Sequence, residues 1–208
     1  MAMLNQRKHI GIGRRSNSGA TMAQRRRMPR NDPRNSSRRP PVPLDPRSLR
    51  DLALHYAARF ATTRAKLVAY LDRKIKMRGW AGEIPPDTGA LADEFADSGY
   101  VDDAAFAKSR AESMARRGYG ARRIAAALHQ AGIEPELRGA TLDAAAEHAD
   151  AAAIALARRR RFGPFGDAAD DPAIRQKQIA AMIRAGHSFD IARRIVHAPD
   201  QNELGGCR

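Results

Sequence analysis

Gly99-Tyr100-Val101-Asp102-Asp103-Ala104-Ala105-Phe106-Ala107 decides how this 208-residue chain is to be read. A glycine just past a helix end adopts the left-handed conformation without a Cβ penalty, and an aspartate is a preferred cap for the helix that follows. Gly99 therefore closes one helix and Asp102 opens the next. Val101 stands just before the cap and Phe106 four positions inside, the spacing of a hydrophobic staple. The carboxylates of Asp102 and Asp103 thus have a structural task, and no histidine or glutamate beside them completes a metal or acid/base site.

The same grammar extends in both directions. Upstream, Asp45-Pro46 is a cap followed by proline at the first helical position. It opens a helix over about 47–61 with Leu49, Leu52, Ala53, Tyr56 and Phe60 on one stripe. Thr62-Thr63 caps a second helix running through Leu67 and Leu71 to Arg78, where Gly79 and Gly82 interrupt. Pro85-Pro86-Asp87 opens a third, with Leu91, Ala92 and Phe95 facing inward, and Trp80 is expected to pack over the intervening loop. Downstream, helices are predicted at about 103–117, 121–131, 135–144 and 147–161. Asp171-Pro172 starts another that stops at Gly186, and Ser188 caps the last one before Pro199. No segment needs to be a strand, so the expected class is all-α.

Glycine-punctuated helices at similar intervals suggest a repeat. An offset of 54 residues matches Leu128 with Met182, Gly132 with Gly186, Leu137 with Ile191 and Leu142 with Val196. Ile124 falls on Gln178, with Ile179 one residue away. In a first copy laid on Leu67, Leu71, Leu91 and Phe95, Ile75 stands where the glycine should be and Lys76 to Gly89 looks inserted. The expectation is three tandem three-helix repeats, at 47–101, 102–146 and 147–198, with a flexible end at 199–208. Units this small are marginal alone and should pack in series into an elongated, curved body.

Charge is distributed unevenly over this plan. The formal net charge is +14; residues 1–45 carry eleven basic groups against two acidic ones, so +9 of it lies there and +5 on the rest. Residues 1–46 also hold six of the twelve prolines and read as a disordered basic tail. The tail suits a solvated extension, an arm for nucleic acid or, loosely, a transit peptide. A single cysteine, Cys207, excludes an intramolecular disulfide or a cysteine zinc site. No apolar run approaches a membrane span, which points to a cytoplasmic chain.

No nucleotide-binding loop is present, and the six histidines show no paired spacing with a carboxylate that would mark a zinc hydrolase. No catalytic residue, metal or cofactor is expected. The chemistry that remains is basic. Arg116-Arg117-Gly118-Tyr119-Gly120-Ala121-Arg122-Arg123 sets four guanidinium groups and an aromatic ring around a glycine turn. Arginine forks pair with phosphates or carboxylates, and tyrosine can stack or anchor. Arg116, Arg117, Tyr119, Arg122 and Arg123 are therefore candidate partner-binding residues. Arg158, Arg159, Arg160 and Arg161 are a weaker nucleic-acid candidate, because they also compensate the dipole of the helix they close.

The central motif, with Arg116-Arg117-Gly118-Tyr119-Gly120, Ile124, Leu128 and Gly132-Ile133, resembles the RecX family of bacterial recombination regulators. The stretch from Lys177 to Phe189 is similar to that family's terminal pattern, with His187 in place of an aromatic residue. The resemblance covers about residues 47–197, with Gly99, Val101, Asp102, Phe106, Gly132 and Gly186 as its structural positions. It implies three tandem three-helix repeats. It also implies a non-catalytic protein, expected as a monomer, that binds in the groove of the RecA filament on single-stranded DNA and blocks growth, ATP hydrolysis and strand exchange. The alternative is a direct DNA-binding or architectural protein using the basic arm.

Overall fold

The structure, a computed structural model, describes residues 42–166 and 171–205. These form ten α-helices: α1 (Pro46–Arg59), α2 (Arg64–Arg78), α3 (Thr88–Asp97), α4 (Asp103–Arg116), α5 (Ala121–Gln130), α6 (Pro135–Ala146), α7 (Ala149–Arg160), α8 (Pro172–Arg184), α9 (Phe189–His197) and the single turn α10 (Asn202–Gly205). A 3-10 turn covers Gly163–Phe165. No strand occurs among the described residues; the one isolated bridge joins Leu44 to Trp80. The class is all-α, as the sequence predicts. The basic tail lies, for residues 1–41, outside the described residues, as does Cys207.

Most helix starts are set by the side chains that the sequence nominates. Asp45 and Ser48 form a reciprocal capping box, Ser48 N donating to Asp45 Oδ1 at 2.7 Å and Asp45 N to Ser48 Oγ at 2.9 Å. Donation from Ser48, from its amide first and then its hydroxyl, holds the Asp45 carboxyl below its ordinary range. Asp87, Asp102, Asp171 and Ser188 accept from the first-turn amides of α3, α4, α8 and α9. Helix ends repeat one device: Gly99, Gly118, Gly132 and Gly186 all have positive φ. Behind each, the next amide returns to a carbonyl one turn back, as in Tyr119 N to Met114 O and Ile133 N to Leu128 O.

Burial is organised in three clusters. The first gathers Leu49 and Ala53 of α1, Leu67 and Leu71 of α2, Ala92 and Phe95 of α3, and Val101. The second gathers Ala107, Ala111 and Met114 of α4 with Ile124 and Leu128 of α5 and then Ile133. The third joins Ala153 and Leu156 of α7, Ile179 and Met182 of α8, and Ile195 and Val196 of α9. Full burial of a leucine or methionine stabilises by about 1.5–3 kcal/mol, so small clusters rich in alanine need support from their neighbours.

Several local expectations are refined. The glycine missing at Ile75 is found one helical turn later, because α2 continues to Arg78 and ends on Gly79 at φ +84°. The mismatched Gln178 is itself buried and accepts from Gly163 N at 2.8 Å, so that position anchors a loop while Ile179 fills the third cluster. Val101 and Phe106, the expected staple pair, go to different places: Val101 into the first cluster, Phe106 against the second. Composition sets Leu44 with the tail, yet it is fully buried, and its amide and carbonyl bond Gly79 O at 2.9 Å and Ala81 N at 2.8 Å. Trp80 lies half-buried against the first cluster and donates to Ile84 O at 2.7 Å. Near the other end, Leu204 is buried against the third cluster, so the chain beyond Pro199 packs at that point.

Candidate functional site

The N-terminus of α5 has no side-chain cap. Its first amides would be orphaned if buried without acceptors. They are satisfied from another helix: Gly120 N donates to Ala185 O at 2.9 Å and Arg122 N to Gly186 O at 3.2 Å. The last carbonyls of α8 thus serve the first amides of α5, end to end. Only glycine allows this approach, since a Cβ on Gly120 would stand 2.4 Å from the Gly186 carbonyl. Gly118 is held as tightly, 2.9 Å from the Leu156 backbone by the same measure.

His187 completes the junction. It is 2% exposed, and its Nε2 lies 3.0 Å from Gly118 O, an arrangement in which the neutral ring donates. Burial pushes its pKa below the usual 6.5, with the Gly118 carbonyl pulling weakly the other way. A corresponding junction lies at the other end of α5. Thr63 Oγ1 donates to Ala131 O at 2.5 Å, and a Cβ on Gly132 would stand 2.2 Å from Ala65 Cβ. There the start of α2 meets the end of α5.

The arginine turn from Arg116 to Arg123 is built around the first of these junctions, where α5 begins. Arg116, Arg117, Arg122 and Arg123 are exposed, while Gly118 and Gly120 are buried. Arg116 sits 3.8 Å from Glu112 one turn back, a surface pair of small consequence. Tyr119 packs against the second cluster, and the Arg123 guanidinium lies 5.7 Å from its ring centroid.

The second predicted run meets the first here. Arg159 and Arg160 at the end of α7 face Arg123 and Tyr119 across a groove of about 250 Å³, which Phe162 and Arg184 also line. Four guanidinium groups from three helices share this groove, and no carboxylate lines it. Arg159, Arg160 and Arg184 also offset the dipoles of the helices they end, whereas Arg123 stands in the first turn of α5 and adds to the positive field.

Not every predicted residue belongs to it. Arg158 turns over the Phe165 ring at 5.5 Å. Arg161 takes the left-handed position that closes α7, at φ +55° the sole non-glycine with positive φ among the described residues. Arg116, Arg117 and Arg122 do not line the groove. The structural positions Gly99, Gly132 and Gly186 end their helices, and Asp102 caps α4 through a 2.8 Å bond from Ala105 N. Arg184 was missed because, at the end of its helix, it reads as dipole compensation. Only the folding of α8 onto α5 reveals its company. Among the described residues, no three His, Cys, Asp or Glu side chains gather to hold a metal, and no helix is long and apolar enough to cross a membrane.

The chain is similar to known proteins over most of the described region. Residues 102–142 match the family model of the second three-helix domain of RecX. A regulatory protein RecX from Myxococcus xanthus is 34% identical over 170 residues, covering 75% of this chain and 88% of that protein. One from Halorhodospira halophila is 33% identical, covering 76% and 92%. The crystal structure of RecX from Lactobacillus salivarius superposes with a TM-score of 0.55 at 18% identity, over 76% of this chain and 96% of that one, and shares the fold. With a third of its residues identical to a RecX over three quarters of its length, and its central three-helix segment matching the family model, the chain belongs to the RecX family of regulatory proteins.

Proposed function

We propose that this protein is a cytoplasmic, non-catalytic regulator that binds the RecA filament on single-stranded DNA as a monomer and lowers its ATP hydrolysis, growth and strand exchange. The observation that carries this reading is the groove at the α5–α8 junction, where Arg123, Arg159, Arg160 and Arg184 gather beside Tyr119 and Phe162 with no acidic neighbour in the lining. A concentrated positive field in a shaped groove favours a polyanionic partner. Arginine, with its planar fork, suits both phosphate and carboxylate oxygens. A filament of protein wound on DNA offers both. The three buried clusters, joined at both ends of α5, support three tandem units at 47–101, 102–146 and 147–198 that present such contacts in series.

The test is RecA ATP hydrolysis on single-stranded DNA with added full-length protein, followed together with co-sedimentation. Inhibition and co-sedimentation are expected. Neither occurring at several-fold molar excess over RecA would discard the reading.

A further inference from the structure

Arginines elsewhere on this surface find carboxylates on neighbouring helices: Arg50 pairs with Glu94, Arg64 with Asp93 and Arg194 with Asp150. The four that line the groove at the α5–α8 junction do not. Arg123, Arg159, Arg160 and Arg184 have no carboxylate within ion-pair distance among the described residues. Between them the lining is Leu156, Ala181 and Ala185 with the rings of Tyr119 and Phe162, so their guanidinium groups are the only charges in it.

These like charges are carried on helix ends that are fixed to one another. Arg123 stands in the first turn of α5, which the bond from Gly120 N to Ala185 O ties to the end of α8, and Arg184 is the residue just before that carbonyl. Its guanidinium also lies against the Tyr119 ring, in the case of Arg123, at 5.7 Å from the centroid. Helix α7 is held where a Cβ on Gly118 would stand 2.9 Å from the Leu156 backbone, one turn before Arg159 and Arg160. Cations held together on a rigid frame, over apolar walls that exclude water, form a preorganised site for a multivalent anion.

Size and charge density select among such anions. The groove encloses about 250 Å³, less than the roughly 300–1,000 Å³ of sites that surround a drug-sized molecule, so its occupant is compact. A nucleic-acid strand brings one charge per nucleotide, and successive carboxylates of an extended peptide point to opposite sides. An oligophosphate instead concentrates its charge on adjacent phosphorus atoms, whose oxygens guanidinium forks bind in pairs. We propose that this groove binds a compact oligophosphate, free or carried by a nucleoside, between Arg123 and the ends of α7 and α8. Such a ligand would compete with the filament for the same side chains, a consequence that rests on the filament reading, whereas the binding itself does not.

The experiment is isothermal titration calorimetry of the full chain at one ionic strength, with inorganic triphosphate, ATP and inorganic phosphate as probes. Triphosphate should bind at least about 10-fold tighter than phosphate. ATP equal to triphosphate would identify the phosphate chain as the whole ligand, and ATP about 10-fold tighter would identify a nucleotide. Arg123→Gln with Arg184→Gln should weaken triphosphate about 10-fold, while Arg117→Gln with Arg122→Gln, which removes the same charge outside the groove, should weaken it by about 2-fold at most, both variants keeping the wild-type circular dichroism. Equal losses in the two variants would overturn the inference, leaving only a general attraction to a basic chain. A hexaglutamate peptide binding more tightly than triphosphate would overturn it in favour of carboxylates, and an oligothymidine losing more affinity than triphosphate in the first variant would overturn it in favour of a strand. Co-sedimentation with RecA filaments, magnesium in excess, separates the two readings. No triphosphate binding by a chain that still inhibits RecA would sink the present inference alone; triphosphate bound at the groove with co-sedimentation unchanged would move the filament contact elsewhere and leave the oligophosphate site in place.

Discussion

Gly120 and Gly186 meet backbone to backbone: a Cβ on Gly120 would stand 2.4 Å from the Gly186 carbonyl carbon, and one on Gly186 2.8 Å from Gly120 O. The atoms in the way are main chain and cannot swing aside. Gly120→Ala should therefore destabilise by about 1–3 kcal/mol through overpacking, seen as a lower urea midpoint. Gly139, inside α6 with nothing near its absent Cβ, is the matched contrast. Gly139→Ala should stabilise by about 0.5–1 kcal/mol, the helix-propensity gain.

Arg161 holds a conformation that suits glycine, at φ +55°. Arg161→Gly relieves that strain, and because Arg161 does not line the arginine groove, anion binding should not change. The expected gain is about 1 kcal/mol in unfolding free energy at unaltered filament inhibition.

Groove charge should matter collectively. Replacing Arg123, Arg159, Arg160 and Arg184 by alanine is expected to raise the concentration needed for half-inhibition of RecA ATP hydrolysis about 10-fold or more, with circular dichroism unchanged. Arg117→Ala and Arg122→Ala, outside the groove, should change it far less.

His187 makes the junction sensitive to acid. Its folded pKa lies below the ordinary 6.5, so as pH falls through 6.5 the unfolded chain takes up the proton first and stability drops. Above about pH 7 this contribution is fully present and flat. Urea midpoints between pH 5 and 8 should show a slope in the wild type that diminishes in His187→Phe, other histidines being common to both.

Thr62→Val should raise stability by about 1–2 kcal/mol, because it removes a buried hydroxyl that has no partner. The check is the thermal midpoint of Thr62→Val against the wild type.

The sequence was most informative where the physics is local. Asp45, Asp87, Asp102, Asp171 and Ser188 cap helices because a side chain reaches amides two or three residues away, and such a bond is visible in a short window. Gly120 was opaque for the opposite reason. It reads as a loop glycine, and the carbonyl that makes it necessary lies at Gly186. The arginine runs at 116–123 and 158–161 both stand out in the sequence, but their convergence and the fourth member, Arg184, depend on where α7 and α8 meet α5. Phe60 misleads in the same way: it reads as the end of a core stripe, yet it is exposed, because α1 stops at Arg59 and the backbone is extended at Phe60.

The end-to-end joint between α8 and α5 also couples grip to integrity. Were it to open, two amides and two carbonyls would lose their partners at once, and Arg123 would part from Arg159, Arg160 and Arg184 in the same motion. A polyanion spanning those side chains therefore acts as a clasp across the joint, and the regulator should be hardest to unfold while it holds its target.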